Sequence, residues 1–473
     1  MPDVRSAQQK ALEINLNGEK HGTFAEIGAG QEVARWFFHA GKASSTVARS
    51  TSAYDMAISD SLYGPTEHYV SRARMRSMLD REFDQLVAQL DDTRGSKNAF
   101  FVFADTVATN RSARSTGGHG WLGVRFQDRP KSKPSEVIVH VEMLDAFTTS
   151  QQETVGLVGV NLIYGAFTLF RDMPALIRGL VDGLDRRRLE IDLIQCSGPL
   201  FQDVDERLLN LQLVEQGLTD AAMFTSDGSP VQPSEILHNR CVVIERGSFR
   251  PVTNVTLAML DAAIARLGEQ PDQGRDSLGT AVIMEMTLNN LMSGKSVDHL
   301  DFLARADLLG ALDKMVMISD YTRFDCVTTY LRHYTQNWIG FVAGVPTLRA
   351  IFDEQYYGDL DGGILEGLGR LFQGRVKLFA YPTVSAETGE LETAGHLSIS
   401  EKLKHLYTHL FENGFIEPVA ELDAAQLHLN PSDVLRKIQC GDSAWINFVP
   451  ARAAAIIREK RLFGVTEKSQ AGA

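Results

Sequence analysis

The chain has 473 residues, 44% of them hydrophobic and 23% charged, and a formal net charge of −13. This length exceeds what one hydrophobic core usually supports, so two or three domains are expected, and the composition is that of an ordinary globular protein rather than a disordered one. The acidic balance excludes whole-surface attraction to nucleic acid or anionic lipid, and no window reaches the ~20 apolar residues that span a bilayer.

In chain order, the first 20 residues lack the apolar core of a signal peptide, which points to a cytoplasmic protein. Thr23 to Ile27 is a short apolar run that passes through Gly28-Ala29-Gly30 into the helical pattern Gln31 to Phe38. Arg72 to Leu90 carries Met75, Met78, Leu79, Phe83 and Leu86 at helical spacing and predicts an amphipathic helix. Strands are expected at Phe100 to Ala104 and Val137 to Val141, with Gln127 to Pro134 as a hairpin loop between β runs. The small residues of Gly156 to Gly165 fit tight helix packing or contact with a second copy. Arg186-Arg187-Arg188 precedes a strand at Leu189 to Ile194 and is either a solvated run or a phosphate contact. Val204 to Gly217 reads as a helix that Gly217 stops.

Strands at Cys241 to Ile244, Ala281 to Met286, Met315 to Ile318, Trp338 to Val342 and Val376 to Ala380 then alternate with helices at Thr256 to Leu267, Asp298 to Leu312 and Thr322 to Tyr334. Gly268 to Gly279 reads as an exposed connection. Beyond Tyr381-Pro382 a hairpin around Glu387 to Glu390 leads to helices near Glu401 to Glu412 and Ala451 to Lys460, and the tail from Lys468 is expected to fray. Short apolar strands alternating with helices predict an α/β class: mostly parallel, Rossmann-like sheet regions covered by helices, with a C-terminal helical unit. The expected domains are 1–183, an N-terminal α/β region; 184–382, a second α/β region; and 383–473, mainly helical.

Cys196, Cys241, Cys326 and Cys440 show no metal-finger spacing and are expected to be reduced. His405 and His409 are four apart but lack the Glu of a metalloprotease, so a surface pair is expected. His119, in the turn Gly117 to Trp121, is a candidate acid or base, while His140 alternates with Val139 and Val141 and faces the other side of its strand.

Gly22 to Arg35, Ser52 to Met56, Gly159 to Ala166, Glu245 to Thr253 and Gly362 to Glu366 together resemble a family of long bacterial proteins loosely labelled TonB-dependent receptor or nicotinate-nucleotide adenylyltransferase. The receptor label implies many alternating strands of about ten residues, which this chain lacks. The adenylyltransferase label implies a glycine-Phe-x-Pro segment with two histidines, and Gly22-Thr23-Phe24 lacks the proline and those histidines. Separately, Glu26-x-Gly28-x-Gly30 resembles the first motif of S-adenosylmethionine-dependent methyltransferases, and Asp55 stands where a second-strand acid would hold ribose. A tight structural turn competes with that reading.

Several expected strands end on or beside a carboxylate: Glu26, Asp105, Glu142 with Asp145, Asp192, Glu245, Glu285 and Asp320. Ligands of parallel α/β folds gather at the carboxyl ends of strands, so convergence of some of these acids would form an oxygen site for Mg²⁺ or Mn²⁺, with Asp192, Glu245 and Glu285 as candidate ligands. Helix capping and pairing with arginine is the competing role for each acid, and Asp105 and Asp320 read as caps. Glu245-Arg246-Gly247-Ser248-Phe249-Arg250 has the composition of an anion-binding loop.

These observations predict a cytoplasmic enzyme that binds a nucleotide-like or phosphorylated ligand and transfers a phosphoryl or nucleotidyl group. Glu245, Glu285 and His119 are its candidate catalytic residues, and Glu26, Gly28, Gly30, Asp55, Arg246 and Arg250 its candidate ligand-binding residues. No nucleic-acid or membrane partner is expected, and a homo-oligomer is allowed. The alternatives are an S-adenosylmethionine-dependent methyltransferase and a non-enzymatic scaffold that uses Val155 to Ala166 for contacts.

Overall fold

Strand and helix alternation resolves, in the computed structural model, into two units, Met1–Thr219 and Asp220–Ala473. The structure describes residues 5–109, 117–270, 278–385, 389–419 and 431–465. Glu387 and Thr388 of the expected hairpin, residues 271–277 of the expected connection and the tail from Lys468 lie outside the described residues.

The first unit runs α1 (Ala7–Leu16), β1 (Lys20–Gly28), α2 (Val33–Ala40), β2 (Val47–Ala53), α3 (Met56–Tyr63), α4 (Arg72–Arg94), β3 (Ala99–Ala108), β4 (Gly118–Phe126), β5 (Ser135–Met143), α5 (Thr148–Thr168), α6 (Met173–Gly179), β6 (Leu189–Ser197) and α7 (Glu206–Glu215). Its six strands lie in the order β2-β1-β3-β4-β5-β6. β1 is parallel to both of its neighbours, and the run from β3 to β6 is antiparallel. Successive side chains alternate between faces. Phe24, Phe101, Phe103, Leu122 and Val139 join Val33 and Phe37 of α2 and Val158 and Leu162 of α5 on one face. Ala25, Phe100, Val102, Trp121 and Leu193 join Met75, Met78, Leu79 and Phe83 of α4 on the other. Because both faces are covered, these strands read as nearly continuous apolar runs.

Val155 to Ala166, expected by the scaffold reading to be available for contacts, is instead spent inside this unit. Every residue of it except Leu157 is buried. A Cβ at Gly156 would come within 2.8 Å of the Glu32 Cβ, and one at Gly159 would overlap Val33, so the small residues let α5 lie close against α2.

The second unit runs β7 (Ala221–Phe224), β8 (Pro230–Val231), α8 (Pro233–Leu237), β9 (Cys241–Arg246), α9 (Asn254–Gly268), β10 (Thr280–Thr287), α10 (Leu288–Leu291), a small β11/β12 pair (Met292–Ser293 and Ser296–Val297), α11 (His299–Ala311), β13 (Met315–Ser319), α12 (Phe324–Arg332), β14 (Ile339–Gly344), α13 (Val345–Ile351), α14 (Gly363–Leu371), β15 (Val376–Tyr381), a second pair β16/β17 (Thr383–Val384 and Leu391–Glu392), α15 (Lys404–Glu412) and β18 (Ile416–Pro418). Helices at Pro431–Gln439 and Ala451–Glu459 follow. β18 pairs with β15, so the segment beyond Pro382 contributes a strand to this sheet.

The second sheet has the order β18-β15-β14-β9-β10-β13-β7-β8. The six strands from β18 to β13 are mutually parallel, and β7 and β8 add an antiparallel edge. With the parallel strands numbered in chain order, the sequence across the sheet is 3-2-1-4-5-6, the doubly wound arrangement. Its direction of winding reverses between β9 and β14. Val242, Ile244, Ile283, Phe341 and Leu378 cover one face together with α12, α13 and α14. α9 lies against β9 and β14, and α11 against β13. No helix among the described residues is long and apolar enough to cross a membrane.

Candidate functional site

In open parallel sheets the crevice at the carboxyl ends of the strands, where the winding reverses, is the usual ligand position. Here that point is the end of β9, at Glu245 and Arg246. In register, Glu245 stands beside Val342 of β14 and Met284 of β10. Alternation sends Glu245 and Arg246 to opposite faces.

Glu245 shares the face of Val243, away from the apolar set of Val242 and Ile244. It is buried, and its Oε2 meets no hydrogen-bond partner among the described residues. Burial alone pushes this carboxyl well above the ordinary range, so the neutral, proton-donating form is favoured. The loop that follows is held by α11. Arg305 donates to the carbonyls of Ser248 at 2.8 Å and Asn290 at 2.9 Å and pairs with Asp301. Arg250 pairs with the same Asp301 at 2.9 Å, with 40% of its side chain exposed. Phe249 adopts φ 47°, a conformation that a bulky residue seldom takes. Thr253 then caps α9 by accepting from the Thr256 N–H.

Arg246 lies on the other face and is fully engaged. Its Nε and Nη2 donate to Glu285 at 2.9 and 2.7 Å, its Nη1 donates to the Thr322 carbonyl, and its guanidinium lies 4.5 Å from the Phe324 ring centroid. Ser319 donates to Glu285 Oε1 at 2.6 Å. Arg246 and Glu285 therefore form a buried ion pair that ties together the ends of β9, β10 and β13. Asp192, named with Glu245 and Glu285 as a candidate metal ligand, lies in the first unit. Among the described residues no group of three or more His, Cys, Asp or Glu is arranged to hold a metal ion.

No protein-family model matches the sequence, and no curated protein is similar to it. Among solved structures, a competence-damaged protein (CinA) superfamily protein from Enterobacter cloacae is similar at 10% identity and TM-score 0.28, over 36% of this chain and 96% of that one. A competence/damage-inducible protein from Agrobacterium tumefaciens is similar at 16% identity and TM-score 0.26, over 34% and 97%. A CinA superfamily protein from Escherichia coli is similar at 13% identity and TM-score 0.25, over 38% and 93%.

In the first unit, the Glu26-Gly28-Gly30 turn does join a strand to a helix, but it is filled by its own residues. Glu26 accepts from the N–H groups of Val33 at 2.8 Å and Ala34 at 3.2 Å, occupying donors that a ligand would need. Gly28 has φ 76°, and a Cβ there would lie 2.5 Å from the Val107 carbonyl oxygen; a Cβ at Gly30 would overlap the Asp105 carboxylate. These glycines serve the close approach of the turn to β3. Asp55 caps α3 through the Ile58 N–H.

Asp105 is not the cap expected of it: it lies inside β3, fully buried, in register with Glu26. Neither of its oxygens meets a donor in hydrogen-bond geometry among the described residues, although the Ile27 N–H acts on it to lower its pKa. Burial, and then the Glu26 charge, push Asp105 well above the carboxylate range, while Glu26 is raised to about 7, chiefly by burial.

His119 and Asp192 are brought together through a residue the sequence left inert. Asp192 Oδ1 accepts from His140 Nδ1 at 2.6 Å, and His140 Nε2 lies 3.2 Å from His119 Nδ1. Glu142 is in register with His119 across β4 and β5. Burial and then Asp192 push the Glu142 carboxyl up. Elsewhere the structural roles prevail: Arg188 pairs with Asp145 at 3.0 Å, and the Cys196 thiol is buried and pushed up by that burial. Sequence reading also passed over Arg305 and Asp301, whose only local signal is a four-residue spacing on one helix.

Proposed function

We propose that the second unit binds a nucleotide-like small molecule at the reversal point between β9 and β14. The single observation that carries this reading is the buried Glu245 carboxyl, with Oε2 unpartnered among the described residues, at the end of the first strand of a 3-2-1-4-5-6 parallel array. A buried polar atom without a partner is costly, and a ligand hydroxyl or ring nitrogen that accepts its proton would remove the cost. Arg250, half-exposed and set by Asp301, supplies a cation for a phosphate on the same face. Phe249, at φ 47°, and Thr253, which caps α9, belong to the loop that follows Glu245.

A protonated Glu245 is a poor metal ligand, so Mg²⁺ or Mn²⁺ would enter with the phosphates of the ligand rather than wait in the protein. Phosphoryl or nucleotidyl transfer is the reaction class that follows. S-adenosylmethionine is the alternative, expected at the Glu26-Gly28-Gly30 turn of the first unit, where Glu26 itself accepts from the N–H groups of Val33 and Ala34.

The test is thermal unfolding of the full chain with ATP, NAD, nicotinate mononucleotide and S-adenosylmethionine, each with and without Mg²⁺. Binding at a hundredfold excess over Kd stabilises by about 2.7 kcal/mol, enough for a visible shift. The expected result is a shift with one of these that is lost in Glu245→Ala and Arg250→Ala. Silence across the panel, or a shift unaltered in both variants, refutes the reading.

A further inference from the structure

A second polar cluster lies in the first unit, on the sheet face covered by α4. His119 of β4 and His140 of β5 belong to neighbouring antiparallel strands, and Asp192 belongs to β6. Three side chains far apart in sequence thus form one chain of contacts, Asp192 Oδ1 to His140 Nδ1 at 2.6 Å and His140 Nε2 to His119 Nδ1 at 3.2 Å. A register shift in the β5/β6 ladder falls next to His140, the place where bulges re-aim side chains.

The tautomers follow from the acceptor at the end of the chain. A carboxylate only accepts, so His140 carries its proton on Nδ1, and its Nε2 is left to accept from His119 Nδ1–H. The remaining nitrogen, His119 Nε2, is then a bare lone pair at the half-buried end of the relay, with no partner among the described residues. His140 is fully buried beside Trp121, with ring centroids 4.8 Å apart, and Asp192 Oδ2 has no hydrogen-bond partner among the described residues. Interiors seldom retain so much polar machinery without a task.

We infer that His119 is the general base of a proton-relay site that activates water against a neutral or cationic carboxylic ester, with His140 and Asp192 as its positioning residues. A base oriented by a second group, itself oriented by a third, is the arrangement that general-base hydrolysis requires. The nucleophile we assign is water, whose proton His119 Nε2 can accept. In the reaction the water oxygen bonds to the ester carbon as its proton passes to His119 Nε2. The His119 Nδ1 proton moves to His140 Nε2, and the positive charge rests on His140 against Asp192. The bond to the leaving alkoxide then breaks, and the relay returns the proton to it, so ester and water become acid and alcohol.

The charges around the site set the preference. Among the described residues His140 and Glu142 on β5 and Asp192 on β6 face His119, while on α4 Arg72 lies at Gln195, Arg74 pairs with Asp60, and Arg76 lies in the field of Glu206 and Glu136. Among these residues an anion meets carboxylates. Burial, and then the neighbouring His140, hold His119 down to about 4, so it stays neutral at physiological pH.

The test uses the full chain and two readouts. Long-range ¹H–¹⁵N correlation, with His119 assigned by its loss in His119→Asn, should find Nδ1 protonated and Nε2 bare at pH 8, and the commoner Nε2–H form in Asp192→Asn. Hydrolysis of p-nitrophenyl acetate should fall at least a hundredfold in His119→Asn. In Asp192→Asn, kcat should fall with a displaced pH profile and little change in KM. The anionic p-nitrophenyl hemisuccinate should be a poorer substrate. An Nε2–H tautomer in the unaltered protein overturns the relay. Ester turnover that is absent, or that His119→Asn leaves unchanged, overturns the activity, and equal rates on both esters overturn the charge preference.

Discussion

Glu26 and Asp105 stand side by side in register on the parallel strands β1 and β3, two buried carboxyls with α2 donating to one and, among the described residues, nothing donating squarely to the other. Like charges this close cannot both ionise cheaply, so the pair retains a proton.

That retained proton makes the first unit pH-sensitive. The Glu26 value in the fold, about 7, lies above its ordinary 4.5, so the folded state binds more protons than the unfolded one. Its contribution is complete below about pH 4.5 and is lost as the pH rises through about 7; Asp105 acts in the same direction. Unfolding followed from pH 5 to pH 8 should show falling stability, and Glu26→Gln should flatten the slope. An unchanged slope in that variant would exclude this pair as its source.

Gly30→Ala should be disproportionately damaging, because its Cβ would overlap the Asp105 carboxylate. Overpacking of this kind costs about 1–3 kcal/mol. Gly18, with nothing within 4 Å of an added Cβ, is the control, and Gly18→Ala should stay within about 0.5 kcal/mol of the parent in urea unfolding.

Arg246→Ala should strand Glu285, which is fully buried, against Ser319 alone. Removing one partner of a buried pair costs about 3–5 kcal/mol. Ser319→Ala removes a single hydrogen bond to that charged group and should cost about 1.5–3 kcal/mol. Equal effects of the two substitutions in denaturant unfolding would show that the guanidinium does not dominate the network.

Arg305→Ala should release the Ser248 carbonyl and loosen the β9–α9 loop. Ligand binding in the second unit should weaken at least tenfold, about 1.4 kcal/mol. The histidine tautomers of the first unit should be unaffected, since they arise from β4, β5 and β6. Calorimetric titration and the nitrogen correlation spectrum read the two effects separately.

The sequence by itself determined most of the individual elements. Apolar runs such as Phe100 to Ala104 and Cys241 to Ile244 became strands because both faces of each sheet are covered, which leaves a continuous apolar signal. Arg72 to Leu90 became α4 for the same reason at helical spacing. The alternation of His140 with Val139 and Val141 correctly placed it on the opposite face. Tertiary structure alone decided how these pieces combine. The short strand β18 lacks an extended apolar run of its own and is held by pairing with β15. Strand order is set by long-range pairing, so no local pattern announced that the second sheet would reverse at Glu245. Nor could spacing reveal which acids meet: Asp105 pairs with Glu26 rather than capping a helix, Glu285 is neutralised by Arg246, and Asp192 reaches His119 through His140. A side chain's chemistry follows from its burial and its partners, and in a sheet those come from strands tens of residues away.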